Sequence, residues 1–183
     1  MKRIFNLAIA LVASAIFTTG CAPTTMMVGG AAMYPTKDII DNAVNSKDHT
    51  TLVAAVKAAG LVETLKSEGP FTVFAPTNAA FDKLPAGTVG TLVKPENKAM
   101  LTNILTYHVL SGRYSASDIS KAIKMGNGTA EFKSVNGGKV WAMMNGGNLI
   151  LKDETGATAM VTIGDVFQKN GVIHVIDSVI MPK

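Results

Sequence analysis

The sequence predicts a single α+β domain. Two observations carry that reading. Helical apolar spacing dominates residues 36–125, and short strand-like runs separated by Asn-Gly turns dominate from residue 126 onward. Helices first and hairpins later describe segregated layers rather than alternating βαβ units. Of the 183 residues, 48% are hydrophobic and 16% charged. That balance suits a packed core and excludes a disordered chain.

The helical part begins at Asp38-Ile39-Ile40-Asp41-Asn42-Ala43-Val44, with Thr36 as its expected N-cap. A second helix has Thr50 or Thr51 as cap, Leu52, Val53 and Val56 on its apolar face, and Gly60 as its stop. Leu61–Leu65 makes a short third. Phe71–Ala75 reads as a strand by its β-branched and aromatic content. Pro76 ends it, and Thr77 or Asn78 caps the helix that follows. Pro95 opens another helix, with Met100, Leu101, Ile104 and Leu105 facing the core. That helix runs into Tyr107-His108-Val109-Leu110, read as a strand. Ser117-Asp118-Ile119 starts one more helix. Thr129–Val135, Lys139–Met144, Leu149–Lys152, Thr158–Ile163, Val172–Ile176 and Ser178–Met181 are then expected as strands. Asn136-Gly137 and Asn145-Gly146 mark I′ hairpin turns between them.

The first twenty residues predict a signal peptide. Lys2 and Arg3 precede a 14-residue, mostly apolar stretch, Ile4–Phe17. As a helix it is about 21 Å long, short of the ~30 Å hydrocarbon core. Phe17-Thr18-Thr19-Gly20-Cys21 resembles the bacterial lipoprotein processing site, in which the cysteine is lipidated. Gly20 and Cys21 match that pattern, while Thr18 departs from its usual Leu. Ordinary cleavage, after Ala22 or near Ala31-Ala32, is the alternative. Ala22 after the cysteine points, by the same resemblance, to the outer membrane. Residues 21–35 carry no charge and no period, and are expected as a flexible tether.

Composition excludes several functions. The net charge is +4. Setting aside Lys2 and Arg3 leaves 15 of the 17 basic side chains against 13 acidic ones, with no basic run. A nucleic-acid surface needs clustered Lys and Arg. The single cysteine, Cys21, excludes an intrachain disulfide and cysteine-based zinc sites. Met26, Met27 and Met33 lack neighbouring His or Cys ligands. No Gly-x-Ser-x-Gly elbow, phosphate-binding glycine loop or paired carboxylate is present. No cofactor or metal is expected.

The stretch Gly69-Pro70-Phe71-Thr72-Val73-Phe74-Ala75-Pro76-Thr77-Asn78-Ala79-Ala80-Phe81-Asp82-Lys83-Leu84-Pro85 resembles the first signature box of the fasciclin domain. Asn170-Gly171-Val172-Ile173-His174-Val175-Ile176-Asp177-Ser178-Val179-Ile180-Met181-Pro182 resembles the second. Tyr107-His108-Val109-Leu110 matches the Tyr-His element between them. The resemblance covers residues 36–183 and implies a β-sheet wedge with several helices packed around it. It also implies a non-enzymatic, exported adhesion or protein-interaction module. Its partner would be a cell-surface or extracellular protein or glycan. A periplasmic or envelope factor binding a small molecule or partner is the alternative.

In animal members adhesion is associated with the Tyr-His element, here Tyr107 and His108, and with an Asp-Ile pair, here Asp165-Val166. Read as residues, Asp165 is a loop cap and Val166 a core side chain. Phe71, Phe74 and Phe81 are core anchors, worth roughly 1.5–3 kcal/mol each. Thr77 and Asn78 are corner caps. His108 and His174, flanked by apolar residues, read as hydrogen-bonded structural histidines, with ligand contact and then catalysis or metal binding as the alternatives. Asp177 fixes backbone or a hydroxyl at a box boundary.

Overall fold

The computed structural model describes residues 24–183. The signal peptide and Cys21 lie outside them. The strands are β1 (Met26–Val28), β2 (Ala31–Met33), β3 (Phe71–Pro76), β4 (Val109–Ser111), β5 (Thr129–Lys133), β6 (Lys139–Asn145), β7 (Asn148–Lys152), β8 (Thr158–Gln168) and β9 (Gly171–Ile176). The helices are α1 (Ile39–Ala43), α2 (Thr50–Ala59), α3 (Val62–Lys66), α4 (Asn78–Asp82), α5 (Thr88–Leu92), α6 (Lys98–Tyr107) and α7 (Ala116–Met125).

Seven strands form one sheet in the order β4-β3-β9-β8-β7-β6-β5. Only β3 and β9 run parallel, paired from Phe71↔Gly171 to Pro76↔Ile176. Both strands are buried along nearly their whole length, so they read as continuous apolar runs. A lone bridge, Leu110↔Ser134, brings the two ends of the sheet back together. The sheet is thus an incompletely closed barrel.

Alternate residues of the central pair face two separate cores. Val73, Ala75, Ile173 and Val175 pack towards α1–α6. Phe74 and Ile176 fill the barrel interior with Tyr107, Leu110, Ile119 and Leu151. This is the period-two alternation of a strand put to use on both faces. Phe74 and Phe81 are buried anchors, while Phe71 is half-buried.

Buried asparagines join the layers. Asn170 accepts from the Ile39 N–H (3.1 Å) at the start of α1. It donates to the carbonyls of Leu65 (2.8 Å) and Ser67 (2.8 Å) at the end of α3. One side chain therefore satisfies orphan groups of two helix termini. The open choice between Thr77 and Asn78 resolves into two jobs. Thr77 caps α4 by accepting from the Ala80 N–H (3.2 Å). Asn78 caps α2 from outside, accepting from the Thr51 N–H (3.0 Å) and donating to the Lys47 carbonyl (2.8 Å).

Several expectations are corrected. Met26–Met33, read as part of a flexible tether, is a hairpin whose Val28 and Met33 are buried in the helical core. Gly29 and Gly30, both at positive φ, make its two-residue turn. The expected I′ turn at Asn145-Gly146 is shifted by one residue: Gly146 and Gly147 hold the positive φ values, and Asn145 pairs with Asn148. Tyr107 and His108 end helix α6 instead of starting a strand. Met100 is 57% exposed rather than core-facing, one position off the Leu101-Ile104-Leu105 stripe. Asp38, not Thr36, caps α1. Ser178–Met181 is not a strand.

Asn170→Ala strands one N–H and two carbonyls in the interior. It is expected to lower unfolding free energy in urea by about 2–3 kcal/mol.

Candidate functional site

The first part of the site is the end of α6. The helical spacing Leu101-Ile104-Leu105 carries through to His108, the C-cap. The His108 ring folds back on its own helix. Its Nδ1–H donates to the Ile104 carbonyl (2.8 Å), and its Nε2 accepts from the Ile180 N–H (3.2 Å). Both nitrogens are engaged, which fixes a neutral tautomer. Burial pushes the imidazole pKa down to about 4. The His108 carbonyl accepts from the Phe74 N–H (2.9 Å) and so ties the corner to β3. Tyr107 is wholly buried. Its hydroxyl donates to the Lys139 carbonyl and accepts from the Glu154 N–H (3.1 Å). Burial pushes the phenol up to about 12.

The second part lies in β8. Its pairing to β9 slips twice between Val161 and Val166. Asp165 sits at this irregularity with φ +58°, a region that Asp tolerates better than most residues. Its Oδ1 accepts from the Ala116 N–H (2.7 Å), an orphan amide in the first turn of α7. Its own N–H donates to His174 Nδ1 (3.3 Å). His174 Nε2–H donates in turn to the Tyr114 carbonyl (2.9 Å). His174 is therefore neutral with its proton on Nε2, and burial lowers its pKa. Val166 is a core side chain. Asp177 holds both groups of Met160, accepting from its N–H (2.8 Å) and donating N–H to its carbonyl (3.1 Å).

The two parts converge on one groove. Strands β4 and β5 approach without pairing fully. Between them lies a groove of about 600 Å³, walled by Phe71, Tyr114, Phe132 and Val135 with Glu131 and Lys133 at its edge. Asp165 and His174 hold the 114–116 segment that carries Tyr114. Thr72 clamps the same segment: its Oγ1 donates to the Gly112 carbonyl (2.8 Å) and accepts from the Tyr114 N–H (2.9 Å). The Tyr114 ring meets Phe132 edge-on at 5.3 Å. Past His108, the Val109 carbonyl accepts from the Val135 N–H (2.8 Å) and holds the opposite wall.

Tyr107, His108 and Val166 are buried in the folded domain, and Asp165 is half-buried. Their side chains act behind the groove rather than in it. The groove residues Tyr114, Phe132 and Val135 and the clamp Thr72 were not singled out from the sequence. An aromatic pair that joins two strand edges leaves no local pattern. Among the described residues, no three His, Cys, Asp or Glu side chains are placed to hold a metal ion, and no helix is long and apolar enough to cross a membrane.

The Fasciclin domain family matches residues 47–182. This chain belongs to the fasciclin domain family. Protein sll1483 of Synechocystis is 45% identical over 156 residues, covering 85% of this chain and 79% of that protein. Cell surface glycolipoprotein MPB83 of Mycobacterium bovis is 36% identical over 160 residues, covering 85% and 64%. In structure the chain is similar to a FAS1 domain pair from the insect cell adhesion molecule Fasciclin I. The TM-score is 0.69 at 18% identity, over 79% of this chain and 50% of that one. The fold expected from the signature boxes, a sheet wedge with helices around it, is the one found.

The histidines set an acid limit. His108 has its pKa lowered from 6.5 to about 4 in the fold, so the unfolded chain binds the proton more readily. Stability is complete above about pH 6.5 and falls as pH drops towards 4. His108 alone contributes about 3 kcal/mol to that loss. Urea titrations across this range check it, and His108→Gln is expected to flatten the slope.

Proposed function

We propose that this protein is an exported, non-enzymatic adhesion or protein-interaction module that binds a cell-surface or extracellular protein or glycan through the β4–β5 groove. The convergence of the two adhesion-associated segments on that groove carries the reading. Tyr107-His108 leads into the wall at Val135, and Asp165-Val166 braces the wall at Tyr114. Half-buried aromatic side chains with a polar edge are the composition of a recognition surface. The non-enzymatic reading is supported by His108 and His174, whose nitrogens are all engaged and neither of which is free to act as a base. Export and a lipid anchor at Cys21 rest on the leader and on the likeness to MPB83, a cell surface glycolipoprotein.

Val135 is 47% exposed, so the carboxylate of Val135→Glu can stay in water. It is expected to weaken attachment of cells or purified protein about tenfold or more, with the melting temperature held within a few degrees. Unchanged attachment counts against the groove. Cys21→Ala is expected to move the protein from the membrane fraction to the soluble one. Loss of surface attachment on gene deletion, restored by the intact gene, separates an adhesin from an envelope binding factor.

A further inference from the structure

A second feature adjoins the groove and shares Phe71 and Val135 with it. Between the helices and the central strands lies an almost wholly apolar cavity of about 70 Å³, with Leu52, Val56, Leu105 and Ile173 among its walls. His49 stands in that wall and is 3% exposed. Its Nε2 is a buried nitrogen that no protein group satisfies. The Ala75 carbonyl lies near the ring and favours its protonated form, but it falls outside hydrogen-bond geometry from Nε2. His108, also in the wall, has both nitrogens engaged.

The proton on His49 can be placed. Its Nδ1 lies 2.8 Å from Ser46 Oγ. Ser46 is itself buried, and its hydroxyl has no other side-chain partner among the described residues. If Nδ1 donated, both the Ser46 O–H and the Nε2 lone pair would go unmet. If the Ser46 O–H donates to Nδ1, a single group, Nε2–H, goes unmet. The second arrangement costs less, because each buried unmet polar group carries about 1–3 kcal/mol. A buried water is a poor match for a lone donor, since it needs two to four polar partners. An apolar molecule with one acceptor needs one.

We propose that this cavity is a binding site for a small apolar molecule bearing a single hydrogen-bond acceptor, such as a short-chain ketone, seated with that acceptor on His49 Nε2–H. At ~10–15 Å³ per water-sized group on this measure, the cavity takes roughly five to seven non-hydrogen atoms. The cavity shares Phe71 and Val135 with the groove, but its test reads His49 and the buried methyls and so holds or fails independently of the adhesion reading.

Nuclear magnetic resonance on the intact protein tests it, with pentan-2-one and xenon as probes. Pentan-2-one is expected to shift the methyl signals of Leu52, Val56 and Leu105 and the His49 ring-nitrogen signal, all with one dissociation constant. Xenon is expected to shift the methyls and leave the ring nitrogen in place. His49→Leu is expected to weaken the ketone about 3- to 10-fold, the loss of one hydrogen bond, and to leave xenon binding unchanged. Absent or non-saturating methyl shifts overturn the proposal, as does equal ketone affinity in His49→Leu. If that variant does not fold, the native ring nitrogen decides: a saturable shift with the ketone supports the site, and no shift ends it.

Discussion

The parallel pairing of β3 with β9 is the constraint on which the rest of the structure depends. It joins residues 71–76 to residues 171–176, so it closes everything from β3 to β9 into one unit. The close approach is visible at Gly171, where an added Cβ would lie 2.3 Å from the Phe71 carbonyl oxygen. Just before it, Asn170 collects the ends of α1 and α3. Just after the strand, Asp177 collects β8 through Met160. Because the pair is buried on both faces, it divides the apolar side chains into a helical core and a barrel core. Parallel strands require a long crossover between them. Here the crossover contains α4–α7 and β4–β8.

His108 of the Tyr-His element and His174 of the second box work as structural hydrogen-bonding units. His108 holds its proton on Nδ1 and His174 on Nε2, each tautomer set by one backbone carbonyl and one backbone N–H. An apolar residue in either place would leave those backbone groups unmet, which costs more than the hydrogen bonds add. A neutral imidazole is compact enough to bridge a donor and an acceptor from separate elements. His49 lacks the second partner, and that difference separates a structural histidine from one with capacity to bind.

Much of the fold was legible from local signals. Gly60 stops α2 with φ +75°, and Pro76-Thr77 turns β3 into α4. Strands β5, β6, β7 and β9 fall close to their expected runs, while β8 continues past the expected end at Ile163 to Gln168. Other features had no local pattern. The β1–β2 hairpin is too short to show a period, and only its burial against the helices gives it shape. Tyr107-His108 has strand composition, yet it completes α6 because the His108 ring can reach the Ile104 carbonyl one turn back. Asp165-Val166 does read locally as a cap and a core residue. That the cap belongs to α7, some fifty positions away, does not.

The sequence by itself determined the α+β class, many of the individual helices and strands, the two signature boxes and the lack of catalytic and metal-binding motifs. Each is written in side-chain periodicity or in short runs of residues that must be contiguous. Tertiary structure alone decided that the Tyr-His and Asp-Val segments brace one groove, and that Tyr114, Phe132 and Val135 form its walls. It alone decided which of three histidines keeps an unmet nitrogen beside a cavity. The physical reason is range: periodicity reports the environment of one element, whereas a groove or a cavity is a relation between elements that only packing brings together.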